Sequence, residues 1–426
     1  MNLIVRIKKR SNSEWITLFV LAMPFLFGLL IDLIGLPTFV KYVIDIAWIA
    51  LLGVLILNKF MTANKESNKI LGFIAIFFCI TLVGFIINLK SPLYYLWGFR
   101  NNFRFFVFLL SCISFLDFEN LDSYLKIFDK LFYLNFVVSL VQYLGFGIKR
   151  DRLGGIFGNA EGSNGFTIIF FSIVIAKSIL SYLNNKEKFY LLFIKCLMAI
   201  IVSALAELKF FYFLFMVIVA VAVLVTEFTF KKLALILLSV VGVILGITIL
   251  MKVFPTWADW FTIDNIIETA LSTEGYTGAG DMNRLTSVPM SLNMFLTSWP
   301  KRLLGLGLGN CDTSTFNFLN TPFFKSNGYL HYSWFSTSFM ILETGLIGLL
   351  TYLSFFALIY VYALKRIKNG RGEKLYCQLA MVMAIIALIL VVYNQSMRTE
   401  AAYMMFFVFA LPFINKEQSN FKMPIS

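Results

Sequence analysis

A chain of 426 residues with 59% hydrophobic and 14% charged residues falls well short of the roughly 25% charged content of a soluble domain. This composition excludes a disordered chain, a secreted disulfide scaffold and an ordinary cytosolic enzyme, and 48 phenylalanines strengthen the exclusion. Apolar stretches of about 20 residues recur along most of the chain, each long enough to cross a bilayer. The fold class is an all-α polytopic membrane protein, read as one integral membrane unit over residues 1–426. In such a protein a net charge of +13 reports orientation first and does not indicate nucleic-acid binding.

In chain order, residues 1–10 are basic, and the apolar run at 15–36 is too long for a cleavable signal core, so it reads as the first transmembrane helix. The hydropathy predicts twelve spans, at about 15–36, 39–58, 70–89, 104–117, 131–147, 165–184, 188–206, 209–230, 233–253, 335–363, 374–393 and 400–414. The fourth and twelfth are short. The tenth is long, and its first part, around Glu343, is expected to be partly inserted. One connection stands apart, the segment 255–334 between spans nine and ten. A long polar connection in a bundle is uncommon unless it is functional, and it is read as an extracytoplasmic subdomain with short helices at 285–298 and 313–320. Its Trp257, Trp260 and Trp299 are suited to stacking on sugar rings or to an interfacial aromatic belt.

Counting Lys and Arg places 20 on the side of both termini and 14 on the other, with Lys177 and Lys195 inside spans. The larger count marks the cytoplasmic side. Sixteen of those 20 are Lys, whereas seven of the other 14 are Arg: Arg100, Arg104, Arg150, Arg152, Arg284, Arg302 and Arg398. Arginine's planar fork grips phosphate bidentately, so this enrichment points to an anionic ligand outside, with headgroup contact as the plainer account.

Several constellations could carry chemistry there. His331 is the sole histidine, and neutral imidazole can take a proton from a hydroxyl. Arg284 follows a glycine-rich run, with an ion pair to Asp281 as the alternative role. Arg150, Arg152 and the run Gly154-Gly155-Ile156-Phe157-Gly158-Asn159 precede the sixth span, whose N-terminus Ser163 or Asn164 could cap. Glu207-Leu208-Lys209 turns between spans seven and eight, as a local ion pair or with Lys209 aimed into a shared cavity. Asp32, Asp45 and Glu343 are apolar-flanked acids. Gly305-Leu306-Gly307-Leu308-Gly309-Asn310 lacks the strand–helix context of a dinucleotide loop and is expected to be a tight loop with close backbone approach. Five scattered cysteines and a single histidine indicate neither a disulfide framework nor a zinc site.

Arg284, the 305–310 glycine loop, His331 and Glu343-Thr344-Gly345-Leu346-Ile347-Gly348, together with Arg152 before Gly158-Asn159 and the Lys209 turn, resemble the Wzy/WaaL superfamily of O-antigen polymerases and ligases. The resemblance covers roughly residues 95–410 and is sharpest over 284–350. It implies a metal-independent, GT-C-like glycosyltransferase of the bacterial inner membrane, without a cofactor, facing the periplasm or cell exterior. Its substrates would be glycans on undecaprenyl pyrophosphate, and it would work among membrane lipids beside a flippase and a chain-length regulator. On this reading His331, Arg284 and Glu343 are the catalytic candidates, and Arg150, Arg152, Glu207, Lys209, Arg302 and Arg398 contact pyrophosphate or glycan. A polymerase of repeat units is the first expectation, a ligase of the same superfamily the second, and a lipid-linked-sugar flippase or transporter the third.

Overall fold

The computed structural model describes residues 11–58, 65–227, 229–255, 265, 271–272 and 275–414, and among these it is entirely helical, with no strand. Trp257 and Trp260 lie outside the described residues, as do the basic residues before Ser11.

A helix stands at each of the twelve predicted segments. These are α1 (Asn12–Phe27), α2 (Val43–Leu57), α3 (Lys65–Asn88), α4 (Pro92–Phe115), α5 (Leu121–Phe146), α6 (Asn164–Leu183), α7 (Phe189–Leu205), α8 (Lys209–Val225) and α9 (Phe230–Val253). Three short helices follow, α10 (Ser287–Met294), α11 (Trp299–Leu304) and α12 (Pro322–Asn327), and then α13 (Ser336–Lys368), α14 (Lys374–Tyr393) and α15 (Ala402–Ala410). Among the described residues eight helical segments are long and apolar enough to cross a membrane, while α7, α8 and the 402–413 segment are shorter apolar helices.

Three sequence expectations need correction. α4 begins twelve residues before its predicted start, because Arg100, Asn101, Asn102 and Arg104 depress the hydropathy of a half-helix that buries one face, through Tyr95, Gly98 and Asn102, against the bundle. α5 begins at Leu121, so Lys126 and Lys130 lie on a helix and not in a connection. The segment 313–320 is not a helix beyond the single turn Asn317–Leu319, and the helix comes after it, at α12, where Thr321 caps the N-terminus by accepting from the Phe324 N–H at 3.1 Å.

α6 and α14 form the centre and are buried along most of their length, while α3, α5 and α9 turn most of their surface outward. Without a hydrophobic drive between helices in lipid, association depends on close van der Waals packing. Phenylalanine supplies it: Phe77, Phe103, Phe106, Phe355, Phe406 and Phe409 form a continuous stack joining α3, α4, α13 and α15.

Two breaks in helical geometry set up the functional end. α1 continues into a π-turn, Gly28–Leu33, of the kind that marks functional sites. At Gly28 a Cβ would lie 2.4 Å from the Gly158 nitrogen, so only glycine lets the 154–159 loop sit against α1. In α13, Gly345 at φ 66°, ψ −169° interrupts the helix, and a Cβ there would meet the Leu303 backbone at 2.4 Å. Around Glu343, where the sequence predicts partial insertion, the structure shows a glycine break against which the 303–309 loop rests. That loop is tight, as its sequence suggests: Gly305 lies against the Glu343–Thr344 peptide and Gly309 against the Tyr94 carbonyl.

The helix ends sort into two sets. One end is tied by lysine–carboxylate and amide contacts: Lys186 to Glu373 at 2.5 Å, Lys374 to Glu227 at 2.6 Å, and Asn184 to Gln378 at 2.7 Å. The opposite end carries the 275–335 segment and every arginine singled out above.

Candidate functional site

Arg284 is placed by a short backbone register. The Asp281 carboxylate accepts from the Thr277 N–H at 2.9 Å, closing a glycine-rich turn. The Met282 N–H donates to the Leu330 carbonyl at 2.9 Å, which lays the stretch before Arg284 beside the stretch that ends at His331. The half-buried Arg284 guanidinium then lies among aromatic rings, 4.5 Å from the centre of Tyr276, 4.6 Å from Tyr393 and 5.8 Å from Phe335. Its Nε donates to the Tyr393 carbonyl at 3.1 Å. Among the described residues no carboxylate pairs with it, and Asp281, its alternative partner from sequence, is buried and turned toward Thr277. Ring faces hold a cation by about 0.5–2 kcal/mol without neutralising it, so Arg284 keeps a net charge to offer.

His331 adopts the left-handed backbone region at φ 51°, a conformation that costs a non-glycine residue about 1–3 kcal/mol and clusters at functional sites. Its ring stacks on Trp334 at 3.8 Å and 13°, and Trp334 meets Tyr276 edge-on at 5.8 Å. The imidazole and the guanidinium therefore share one aromatic frame. His331 is half-buried and Trp334 exposed, so the imidazole is open to solvent.

The 207–209 turn joins the same frame from the other side. Phe210 stacks face to face on Tyr393 at 3.6 Å and 3°. Lys209, one residue earlier, turns its ammonium toward Glu207. Glu207, also left-handed at φ 57°, lies 3.5 Å from both Lys209 Nζ and Arg150 Nε. Of the two sequence readings of this turn, the local ion pair is the one that forms. Arg152 Nε donates to the Asn159 carbonyl at 3.1 Å, and the Asn159 N–H donates to Asp32 on the π-turn at 2.5 Å. The loop between is built in, with Gln142 bridging both polar groups of Gly155 and Asn135 accepting from Ile156. Ser163 is the N-cap residue of α6 but makes no side-chain cap. Asn164 instead donates to Asp151 at 2.7 Å, which puts a carboxylate where an anion was expected.

The remaining candidates lie elsewhere. Arg302 Nε satisfies the Leu296 carbonyl at 3.0 Å. Arg398 and Glu343 belong to a buried network one helical turn below the cage. Arg398 sits over the Phe339 ring, four residues along α13 from Phe335, and reaches Asp312 at 4.0 Å. Asp312 accepts from Asn101, which also accepts from Arg100, and Arg100 grips Asp45 with two bonds of 2.8 Å. Arg104 pairs with Glu400 at 3.0 Å. Burial pushes the Asp312 carboxyl above its ordinary range, against the pull of Arg398 and Asn101, and burial lowers Arg398. Glu343 is sealed beneath the glycine loop, its Oε1 accepting from the Cys311 N–H at 3.1 Å. It is placed to hold the loop, with the Cys311 N–H and the Gly305 backbone against it.

The seven arginines counted from sequence are thus not equivalent. Arg100, Arg104, Arg150 and Arg398 face carboxylates, Arg152 and Arg302 face carbonyls, and Arg284 faces rings and one carbonyl. Tyr276, Tyr393, Trp334 and Glu400 carry no signal in the sequence that singles them out. Tyr393 ends an apolar span and reads as a belt residue, and nothing local marks it as the floor of a cation site. Among the described residues no group of three or more His, Cys, Asp or Glu is placed to hold a metal ion.

No known protein-family model matches the chain, and no curated protein matches it.

Proposed function

We propose that this chain is a multi-pass glycosyltransferase of the bacterial inner membrane that joins undecaprenyl-pyrophosphate-linked oligosaccharide units into a surface polysaccharide. In this reading it makes about twelve passes in a GT-C-like arrangement, with the Arg284 end outward and both termini in the cytoplasm, as the lysine distribution favours. The observation that carries the reading is Arg284, a cation held by aromatic faces with no carboxylate paired to it among the described residues, while the Phe210 ring against the same Tyr393 brings up the turn where Lys209 and Arg150 flank Glu207. Such a site suits a lipid-linked pyrophosphate, which arrives from the bilayer as a dianion, gains a further charge as the sugar leaves it, and needs a planar donor.

In the transfer, the bond between the donor sugar's anomeric carbon and the pyrophosphate oxygen breaks and a bond to an acceptor hydroxyl forms. The departing pyrophosphate keeps the electron pair, and Arg284 with Lys209 stabilises its growing charge. His331, in the same frame and open to solvent, takes the acceptor proton.

The test is polymer formation by purified protein on lipid-linked repeat units, comparing wild type with Arg284→Lys. The lysine keeps the charge but loses the fork. Losing one transition-state donor costs about 2.7–4 kcal/mol, roughly a 10²–10³-fold drop in rate. Equal rates would reduce Arg284 to an anchor, and wild-type protein that joins no units would end the reading.

A further inference from the structure

A second cluster at the same end is chemically unlike the first. Tyr42, just before α2, stacks on Phe316 of the 313–320 loop, with centroids 5.2 Å apart and 29° between planes. Trp97 of α4 lies 6.1 Å from Tyr42, and Phe318 lies 5.8 Å from Phe316. Phe316 is 40% and Phe318 66% exposed. The loop carrying them reads Thr313-Ser314-Thr315-Phe316-Asn317-Phe318, so the exposed rings alternate with hydroxyl and amide side chains.

The cluster is tied together by hydrogen bonds. Tyr42 Oη shares a hydrogen bond of 2.6 Å with Thr315 Oγ1, and Trp97 Nε1 donates to the Thr313 carbonyl at 3.4 Å. Asn320 pins the loop by accepting from Thr313 Oγ1 and the Ser314 N–H. From beneath, the Arg100 guanidinium lies 5.4 Å from the Tyr42 ring and 5.0 Å from the Trp97 ring, itself fixed by both oxygens of Asp45. A belt aromatic keeps its polar atom free for headgroups. Here the polar atoms of Tyr42 and Trp97 are spent on the loop, and the two phenylalanines stand on a polar segment.

We propose that Tyr42, Trp97, Phe316 and Phe318 form a carbohydrate-binding shelf that holds the sugar rings of the glycan away from the pyrophosphate. A pyranose presents a face of C–H bonds to an aromatic ring and a rim of hydroxyls to neighbouring amides and alcohols, and this surface offers both. Arg100 is neutralised by Asp45, so the shelf favours the sugar part over the phosphate part. The same 275–335 segment carries Phe316, Phe318 and Arg284, so it contributes to the sites for both ends of a lipid-linked glycan. This inference rests on the glycosyl-transfer reading and extends it to the substrate's sugar chain.

The test uses full-length protein in nanodiscs. The probe is a soluble oligosaccharide of two repeat units, released from the polysaccharide of the source strain and freed of lipid, with binding measured by calorimetry. Trp97→Leu and Phe316→Leu keep the apolar character that a bilayer contact would need but remove the flat ring. Both should bind the probe about tenfold more weakly and give shorter polymers, while still joining the first two units. Arg284→Lys should bind the lipid-free probe as wild type does. Wild type that fails to bind the probe, or leucine variants that bind it equally well, would overturn the shelf. Normal probe binding by Phe316→Leu and Phe318→Leu, with Phe318→Ser alone losing activity, would also overturn it in favour of a lipid-surface contact. Failure of wild type to join any units would instead overturn the underlying function.

Discussion

The pair Arg104–Glu400 offers the sharpest test of the buried network. Arg104 leaves α4 with its side chain 3% exposed and donates to Glu400 at 3.0 Å, while its other terminal nitrogen reaches the Arg398 carbonyl at 3.3 Å. The rings of Phe105 and Tyr403 flank it at 4.7 and 5.7 Å. Glu400→Gln preserves shape but leaves the guanidinium buried beside a neutral amide. Removing one partner of a buried pair costs about 3–5 kcal/mol. Glu400 retains 16% exposure, so water can partly replace it, and the low end of that range, about 3 kcal/mol, is expected. Replacing both partners with apolar side chains of similar volume is close to neutral or stabilising, so Arg104→Met with Glu400→Leu should recover most of the loss. The measurement is reversible unfolding of detergent-solubilised protein, by denaturing detergent or by heat, for wild type, Glu400→Gln, the singles Arg104→Met and Glu400→Leu, and the double variant. If the double variant is as unstable as the worse single one, the loss comes from packing or the carbonyl contact and the electrostatic account fails.

Two further outcomes follow from the geometry. His331→Ala should lower transfer by about 10²–10⁴-fold, with folded yield unchanged, whereas Trp334→Leu, which removes the stacking face at 3.8 Å, should lower it less. A near-normal rate in His331→Ala would remove the base assignment. Gly345→Ala should cut the folded yield sharply, because the residue combines φ 66° with a backbone atom 2.4 Å from the new methyl, and left-handed strain alone costs about 1–3 kcal/mol. Gly370→Ala also has positive φ, at 65°, but has nothing within 4 Å, so it separates strain from clash and should be milder. Equal yields from the two variants would mean that the 303–309 loop does not need the α13 break.

The helical, membrane-embedded class is legible in the amino-acid sequence by itself, because a run of about 20 apolar residues has few fates other than a helix in lipid. The tight 305–310 loop and the clustering of arginines at one end are legible for similarly local reasons: glycine permits what other residues cannot, and charge collects at helix ends. Hydropathy misses the first half of α4, since a helix that hides Arg100, Asn102 and Arg104 against partners looks like a loop when averaged along the chain. Which arginine stays available is beyond the sequence altogether. Arg104 and Glu400 lie 296 residues apart and Arg100 and Asp45 lie 55 apart, so the acids that neutralise them arrive only when α2, α4 and the α14–α15 connection pack together. Arg284 differs from its neighbours by what the fold brings to it: the rings of Tyr276 and Tyr393, the latter 109 positions away. Residue type is a property of the chain, but whether a charge is neutralised, caged or left free depends on its surroundings, and only tertiary packing supplies those.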